Sequence, residues 1–177
     1  MTTKLMVLLG AALLLAGCVP SLQPFYAEKD LVWDPALVGE WVAPKDGDWL
    51  VVRRAGEKQY DVRMKPSPED PGVFEARLLE LGDTRFVDLY PAKPHRSHTI
   101  AAHSVYKLER RGDTLRLAGL DESWLKKMIR DGKLQLAHEL VDNDLLLTAP
   151  TPRLQELITR YAGDVQAFPD PQEYRRK

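Results

Sequence analysis

A mainly β fold is predicted: an antiparallel up-and-down meander of about eight strands, with a short inserted helix and a C-terminal helix. Three observations predict it. Residues Lys58 to Lys65 alternate, with Tyr60, Val62 and Met64 on one face and Gln59, Asp61, Arg63 and Lys65 on the other, the period of a strand with one wet face. Eleven glycines and thirteen prolines, many of them between short apolar runs, favour frequent turns over long helices. Two stretches instead place apolar residues at helical spacing, Trp124, Leu125, Met128, Ile129 and Leu154, Leu157, Ile158, Tyr161, so helices interrupt and end the sheet.

The chain opens with Lys4 and an apolar run from Leu5 to Leu15, the build of a secretory signal. At about ten residues the run is roughly half of what a helix needs to cross a bilayer core. Small residues and a cysteine follow, and Leu15-Ala16-Gly17-Cys18 resembles the lipobox of bacterial lipoproteins. The resemblance implies cleavage after residue 17, a thioether-linked diacylglycerol on Cys18, and an acyl chain, such as palmitate, on its new amine. Several chains together make a stable membrane anchor where one is marginal. Val19 stands where inner-membrane lipoproteins usually carry an aspartate, so in a host with an outer membrane the resemblance implies an outer-membrane site facing the periplasm.

The expected organisation is then a signal peptide over 1–17, a lipidated tether and docking segment over 18–36, a β-rich domain over 37–163 and a flexible tail over 164–177. Phe25, Tyr26, Leu31, Val32 and Trp33 are too apolar for a plain spacer, so the tether is expected to dock on the fold. Leu37 to Val42 and Trp49 to Val52 read as strands around the turn formers Pro44 to Asp48, and Ala55-Gly56-Glu57 leads into the alternating strand. After a proline-rich loop, Val73 to Leu81 and Arg85 to Tyr90 pair across Gly82-Asp83. A loop from Pro91 to Ser97 leads to a strand carrying Ile100, Ala102, Tyr106 and Leu108, and Arg111-Gly112-Asp113 turns the chain into Leu115 to Leu120. Asp121 suits a helix N-cap and Gly132 its stop. Leu134 to Val141 and Leu145 to Ala149 flank Asp142-Asn143-Asp144 as a closing hairpin, although the first arm fits a helix as well. Thr151 with Pro152 starts the last helix and Gly163 ends it.

A meander of this length followed by one packed helix, with Gly39-x-Trp41 at the first strand, resembles lipocalins and other calycins, which are closed barrels. The resemblance implies that Trp41 closes the base of the barrel and that the interior takes a small hydrophobic or amphipathic ligand. Asp88-Leu89-Tyr90 departs from the family's Thr-Asp-Tyr.

Charge is near balance, with 25 Lys and Arg against 26 Asp and Glu, so no global field favours nucleic acid. The lone cysteine is committed to lipid, which removes disulfides and thiol chemistry. Pocket-lining or barrel-closing roles fall to Trp41, Trp49, Tyr60 and Trp124, with core packing the alternative for the tryptophans, including Trp33. Arg53, Arg54, Arg63 and Arg77 either meet an anionic head group from inside the barrel or face solvent. His95, His98 and His103 have a spacing that fits no metal well, and His138-Glu139 point apart if they share a strand. Neither a nucleophile elbow nor a phosphate cradle is present. No cofactor and no enzymatic activity are expected; the expected partner is the membrane, and a structural or protein-interaction role in the envelope is the alternative.

Overall fold

The computed structural model describes residues 19–64, 72–92 and 101–177. Leu15-Ala16-Gly17-Cys18, Lys65, His95, His98, Ile100 and most of the two loops that follow Met64 and Pro91 lie outside the described residues. Eight antiparallel strands close a barrel: β1 (Gly39–Val42), β2 (Trp49–Arg54), β3 (Tyr60–Met64), β4 (Gly72–Leu81), β5 (Thr84–Pro91), β6 (Ser104–Arg111), β7 (Thr114–Gly119) and a strand near the C-terminus. The tight turns are where the residues require them. Gly82 and Gly112 take positive φ between Leu81↔Thr84 and Arg111↔Thr114, a conformation glycine adopts without a Cβ penalty.

Two expectations about how the meander closes are corrected. The hairpin β8 (His138–Val141) and β9 (Asp144–Leu147) exists, with Asp142 and Asn143 both at positive φ, but it is a separate two-stranded sheet. The eighth barrel strand is β10 (Gln172–Arg176), inside the expected flexible tail, pairing with β1 on one side and β7 on the other. Only Tyr174 is a large apolar group in β10, and its polar neighbours read as a tail in sequence. What orders them is long-range pairing with two open sheet edges.

Helix α1 (Glu122–Arg130) starts as expected, with Asp121 Oδ1 accepting the Trp124 N–H at 2.6 Å, and Gly132 at positive φ follows its end. Helix α2 (Thr151–Arg160) buries Leu154, Leu157 and Ile158. Its Thr151 hydroxyl does not cap the helix but donates to the Pro24 carbonyl at 2.8 Å. Both helices and the β8–β9 hairpin lie outside the barrel, where Leu120, Leu125, Leu145, Leu154 and Ile158 join Phe25 in one apolar cluster with Leu79, Phe86, Val105 and Ala118 of the barrel wall. A second cluster fills the interior, built from Trp41, Leu50, Val52, Tyr60, Val62, Ala76, Leu78, Val87, Leu89, Leu108 and Leu115, with Leu37 at the end. Strand β5 is buried on both faces from Phe86 to Leu89.

The segment after Val19 runs over this wall. Ser21 bridges antiparallel to His103 and parallel to Leu147, and Leu31 bridges to Leu79. It ends in one turn of 3-10 helix, Pro35–Leu37, laid against the base of the barrel. There Trp41 Nε1–H donates to the Leu37 carbonyl at 3.0 Å, and the Arg176 guanidinium lies 4.2 Å from the Trp41 ring centre. Arg176 also donates to the carbonyls of Ala36 and Val38 and, at 3.2 Å, to Asp113 Oδ1. Gly39 has φ +147°, and a Cβ there would lie 2.5 Å from Arg176 Nη1. The glycine of Gly39-x-Trp41 is thus the opening through which the guanidinium reaches the indole.

Arg176→Ala removes the cation–π contact and these hydrogen bonds, and is expected to cost about 2–4 kcal/mol in denaturant unfolding. Gly39→Ala is expected to cost about 1–3 kcal/mol from backbone strain and collision. The two costs should not add, because without Arg176 the collision is gone. Strict additivity would contradict the shared contact.

Candidate functional site

Two places in the barrel are candidates for function. The first is the interior. Alternation along β2 and β3 turns Leu50, Val52, Tyr60 and Val62 inward, and with Leu89, Leu108 and Leu117 they line a void of about 40 Å3 with no polar surface. Small-molecule sites usually offer roughly 300–1,000 Å3. The interior of this form is therefore a packed core rather than an open pocket.

Of the four aromatic residues singled out by sequence, Trp41 and Tyr60 come together inside. The Tyr60 hydroxyl accepts the Asp34 N–H at 2.8 Å and donates to the Asp34 carbonyl at 3.2 Å, and Trp33 stacks on its ring at 4.4 Å. Burial raises the Tyr60 phenol above its ordinary value, against the Asp34 hydrogen bond. Asp34 also accepts from Arg85 and pairs with Arg110, which fastens the base. Trp49 pairs with Val42 on the outer face, and Trp124 sits in the outer cluster against Tyr161, so neither lines the interior. Arg53 and Arg63 are exposed on the outer face and Arg54 lies over Trp33 at the base; no anionic head group is met from inside. Tyr174 does face the interior, and burial, with Asp48 and Asp46 adding to it, pushes its phenol up to about 12.

The second candidate is a cleft of about 280 Å3 on the outer wall, lined by Leu22, Tyr26, Glu75, Arg77, Asp88, Tyr90, Ala101 and His103. Period-two alternation places Glu75 and Arg77 of β4 and Asp88 and Tyr90 of β5 on that wall in direct register, Glu75↔Tyr90 and Arg77↔Asp88. Asp88 is 1% exposed and its two oxygens are engaged. Oδ2 accepts the Phe25 N–H at 2.9 Å, and Oδ1 lies 2.7 Å from His103 Nδ1. An ionised Asp88 accepts in both bonds, which assigns Nδ1–H as the imidazole donor and leaves Nε2 outside the pair. Tyr90 packs on the imidazole at 4.6 Å and Tyr26 meets it edge-on at 6.4 Å. Burial raises the Tyr26 phenol, Arg77 opposes the rise, and Asp88, Glu28 and Glu75 add to it. Among the described residues, Arg77 Nη1 is buried and has no hydrogen-bond partner.

An Asp–His pair orients an imidazole, yet the nearby Ser21 is fully buried and its hydroxyl accepts the Gln23 N–H at 3.2 Å. His138 does not join the cleft; its Nδ1 lies 2.7 Å from the Leu136 carbonyl oxygen. Among the described residues no group of three or more His, Cys, Asp or Glu side chains is placed to hold a metal. The sequence reading missed Asp88, Tyr26, Tyr90 and Glu75 as site residues. One signal was present: a carboxylate inside Phe86-Val87-Asp88-Leu89, a run too apolar to face water, has to be matched by buried donors. No family model, curated protein or solved structure matches the chain.

Asp88→Ala leaves the Phe25 N–H and the imidazole N–H without their acceptor, at an expected cost of about 2–4 kcal/mol. Hydrogen exchange at the Phe25 amide should accelerate before the barrel amides do; unchanged protection there would contradict the docking role. For Tyr174 the folded value of about 12 exceeds the ordinary value of about 10, so the fold holds the phenol protonated. Its stabilisation is complete below pH ~10 and is lost as pH rises towards ~12. Tyr174→Phe should flatten the decline of stability over that window, read by denaturant melts at stepped pH; an unchanged slope would contradict it.

Proposed function

We propose that the chain is a lipid-anchored, non-enzymatic lipoprotein of the bacterial envelope, held by acyl chains on Cys18, with a lipocalin-like barrel that binds a small amphipathic molecule. The observation that carries the anchor is the junction of Leu15-Ala16-Gly17-Cys18 with the fold. Val19, the next residue, is 1% exposed, and Pro20 and Ser21 are already hydrogen-bonded to Leu147 and His103. A lipid on Cys18 therefore holds the domain flush against the bilayer, with no spacer to lift it away. In a host with an outer membrane, that surface is the periplasmic face of the outer membrane.

The lipocalin-like reading is supported by the closed eight-stranded barrel and by Gly39-x-Trp41 at its base. The ligand-binding part of the reading rests on the outer cleft, because the interior void is too small. Among the described residues no helix is long and apolar enough to cross a membrane. A structural or protein-interaction role is the second reading, favoured by Leu140 and Val141, exposed near the tip of the β8–β9 hairpin.

Cells fed labelled palmitate should incorporate it into the wild-type protein, which should fractionate with membranes. Cys18→Ser should lose the label and leave the membrane fraction. Equal membrane association of an unlabelled Cys18→Ser protein would contradict the anchor.

A further inference from the structure

Arg77 stands directly across from Asp88 in the strand register, a placement that ordinarily forms an ion pair. Here the Asp88 oxygens are taken by Phe25 and His103, and the guanidinium is left in the cleft wall with Nη1 buried and without a partner among the described residues. A guanidinium does not lose its proton, and a buried N–H with no acceptor is costly. Buried polar atoms of this kind call for an explanation. Nη1 is closed to solvent, and Arg77 borders both this cleft and a neighbouring one beside Lys29 and Lys58, so an acceptor entering from outside the chain meets the guanidinium after a small shift of its side chain. The surrounding surface narrows its class. The rings of Tyr26 and Tyr90, with Leu22 and Ala101, give the cleft an apolar side. Glu75 lines the same wall, with Oε2 held by Gln59 Nε2 at 3.2 Å; its negative charge disfavours a dianion and tolerates a single charge more readily.

We propose that this cleft binds the carboxylate of a small amphipathic molecule, with Arg77 as its counter-ion and Tyr26, Tyr90 and Leu22 covering its apolar body. The inference deepens the ligand-binding part of the proposed function and does not depend on the lipid anchor. A planar carboxylate matches the guanidinium fork. His103, held through Nδ1 by Asp88, contacts both tyrosine rings in the same cleft.

The test is thermal unfolding of the full chain in detergent with sodium hexanoate, sodium phosphate or sodium chloride at matched ionic strength. Hexanoate is expected to raise Tm saturably, with phosphate and chloride giving no saturable rise. Arg77→Gln should weaken the hexanoate response roughly 10- to 100-fold, and Arg77→Lys should keep part of it. Without hexanoate, Arg77→Gln should melt at or above the wild-type temperature, since it removes an unmatched cation; Arg77→Met carries the same test if the glutamine variant does not fold. The proposal is overturned by an equal hexanoate response in wild type and in a folded Arg77 variant, by no saturable response in wild type, or by a stronger response to phosphate. Lipidation is not read in this assay, so failure of the anchor and failure of the cleft are told apart.

Discussion

The guanidinium of Arg176, 4.2 Å from the ring centre of Trp41, is the contact on which closure of the barrel turns. A meander that begins at β1 and reaches β7 still has two open edges, and open edges pair with whatever strand they meet. The chain leaves the barrel after β7, builds two helices and a hairpin, and returns only in its last residues to fill the gap. Arg176 locks that return. It reaches across β1 to one carbonyl within the 3-10 turn, that of Ala36, to one just after it, that of Val38, and to the β6–β7 turn through Asp113, so strand closure and base closure are one event. Gly39 is the residue that makes the approach possible.

Closure separates two hydrophobic cores that share a wall. Inside, Leu, Val and aromatic side chains leave about 40 Å3. Outside, the helices, the hairpin and the segment after Val19 cover β4 to β7. Strand β5 is buried on both faces, which makes Asp88 exceptional: it is a carboxylate with 1% exposure in an otherwise apolar run. It is stabilised by the Phe25 amide and the His103 imidazole, while Nη1 of the guanidinium across the register has no partner among the described residues. The docking of the N-terminal segment therefore draws on the Asp88 hydrogen bonds. The polar cleft lies on the outer wall, and the interior is filled with apolar side chains.

Where local chemistry decides an element, the sequence predicts it. The alternation of Tyr60, Val62 and Met64 is β3, the Gly82-Asp83 and Gly112-Asp113 turns are in place, and Asp121 caps α1. What escapes is set by partners distant in the chain. Residues 172–176 carry a polar pattern that becomes a strand only between β1 and β7, and the β8–β9 hairpin, correctly paired with itself, has nothing local to say that it stands outside the barrel. The cleft is hidden for a similar reason. Arg77 and Asp88 are eleven positions apart and His103 fifteen further on; only the register of β4, β5 and the start of β6 brings them together. Trp49 and Trp124 show the limit of residue type alone, since one faces outward and the other belongs to the second core.

The most direct test of a filled interior and of the binding proposed for the outer wall is a methyl NMR spectrum of the full chain, labelled at leucine and valine, titrated with sodium hexanoate. Saturable shifts are expected at Leu22 on the cleft rim, with the interior methyls of Leu50, Val52, Val62 and Leu108 unmoved. Saturable shifts of those interior methyls, with Leu22 unchanged, would show that the barrel opens to take the ligand and would contradict both expectations.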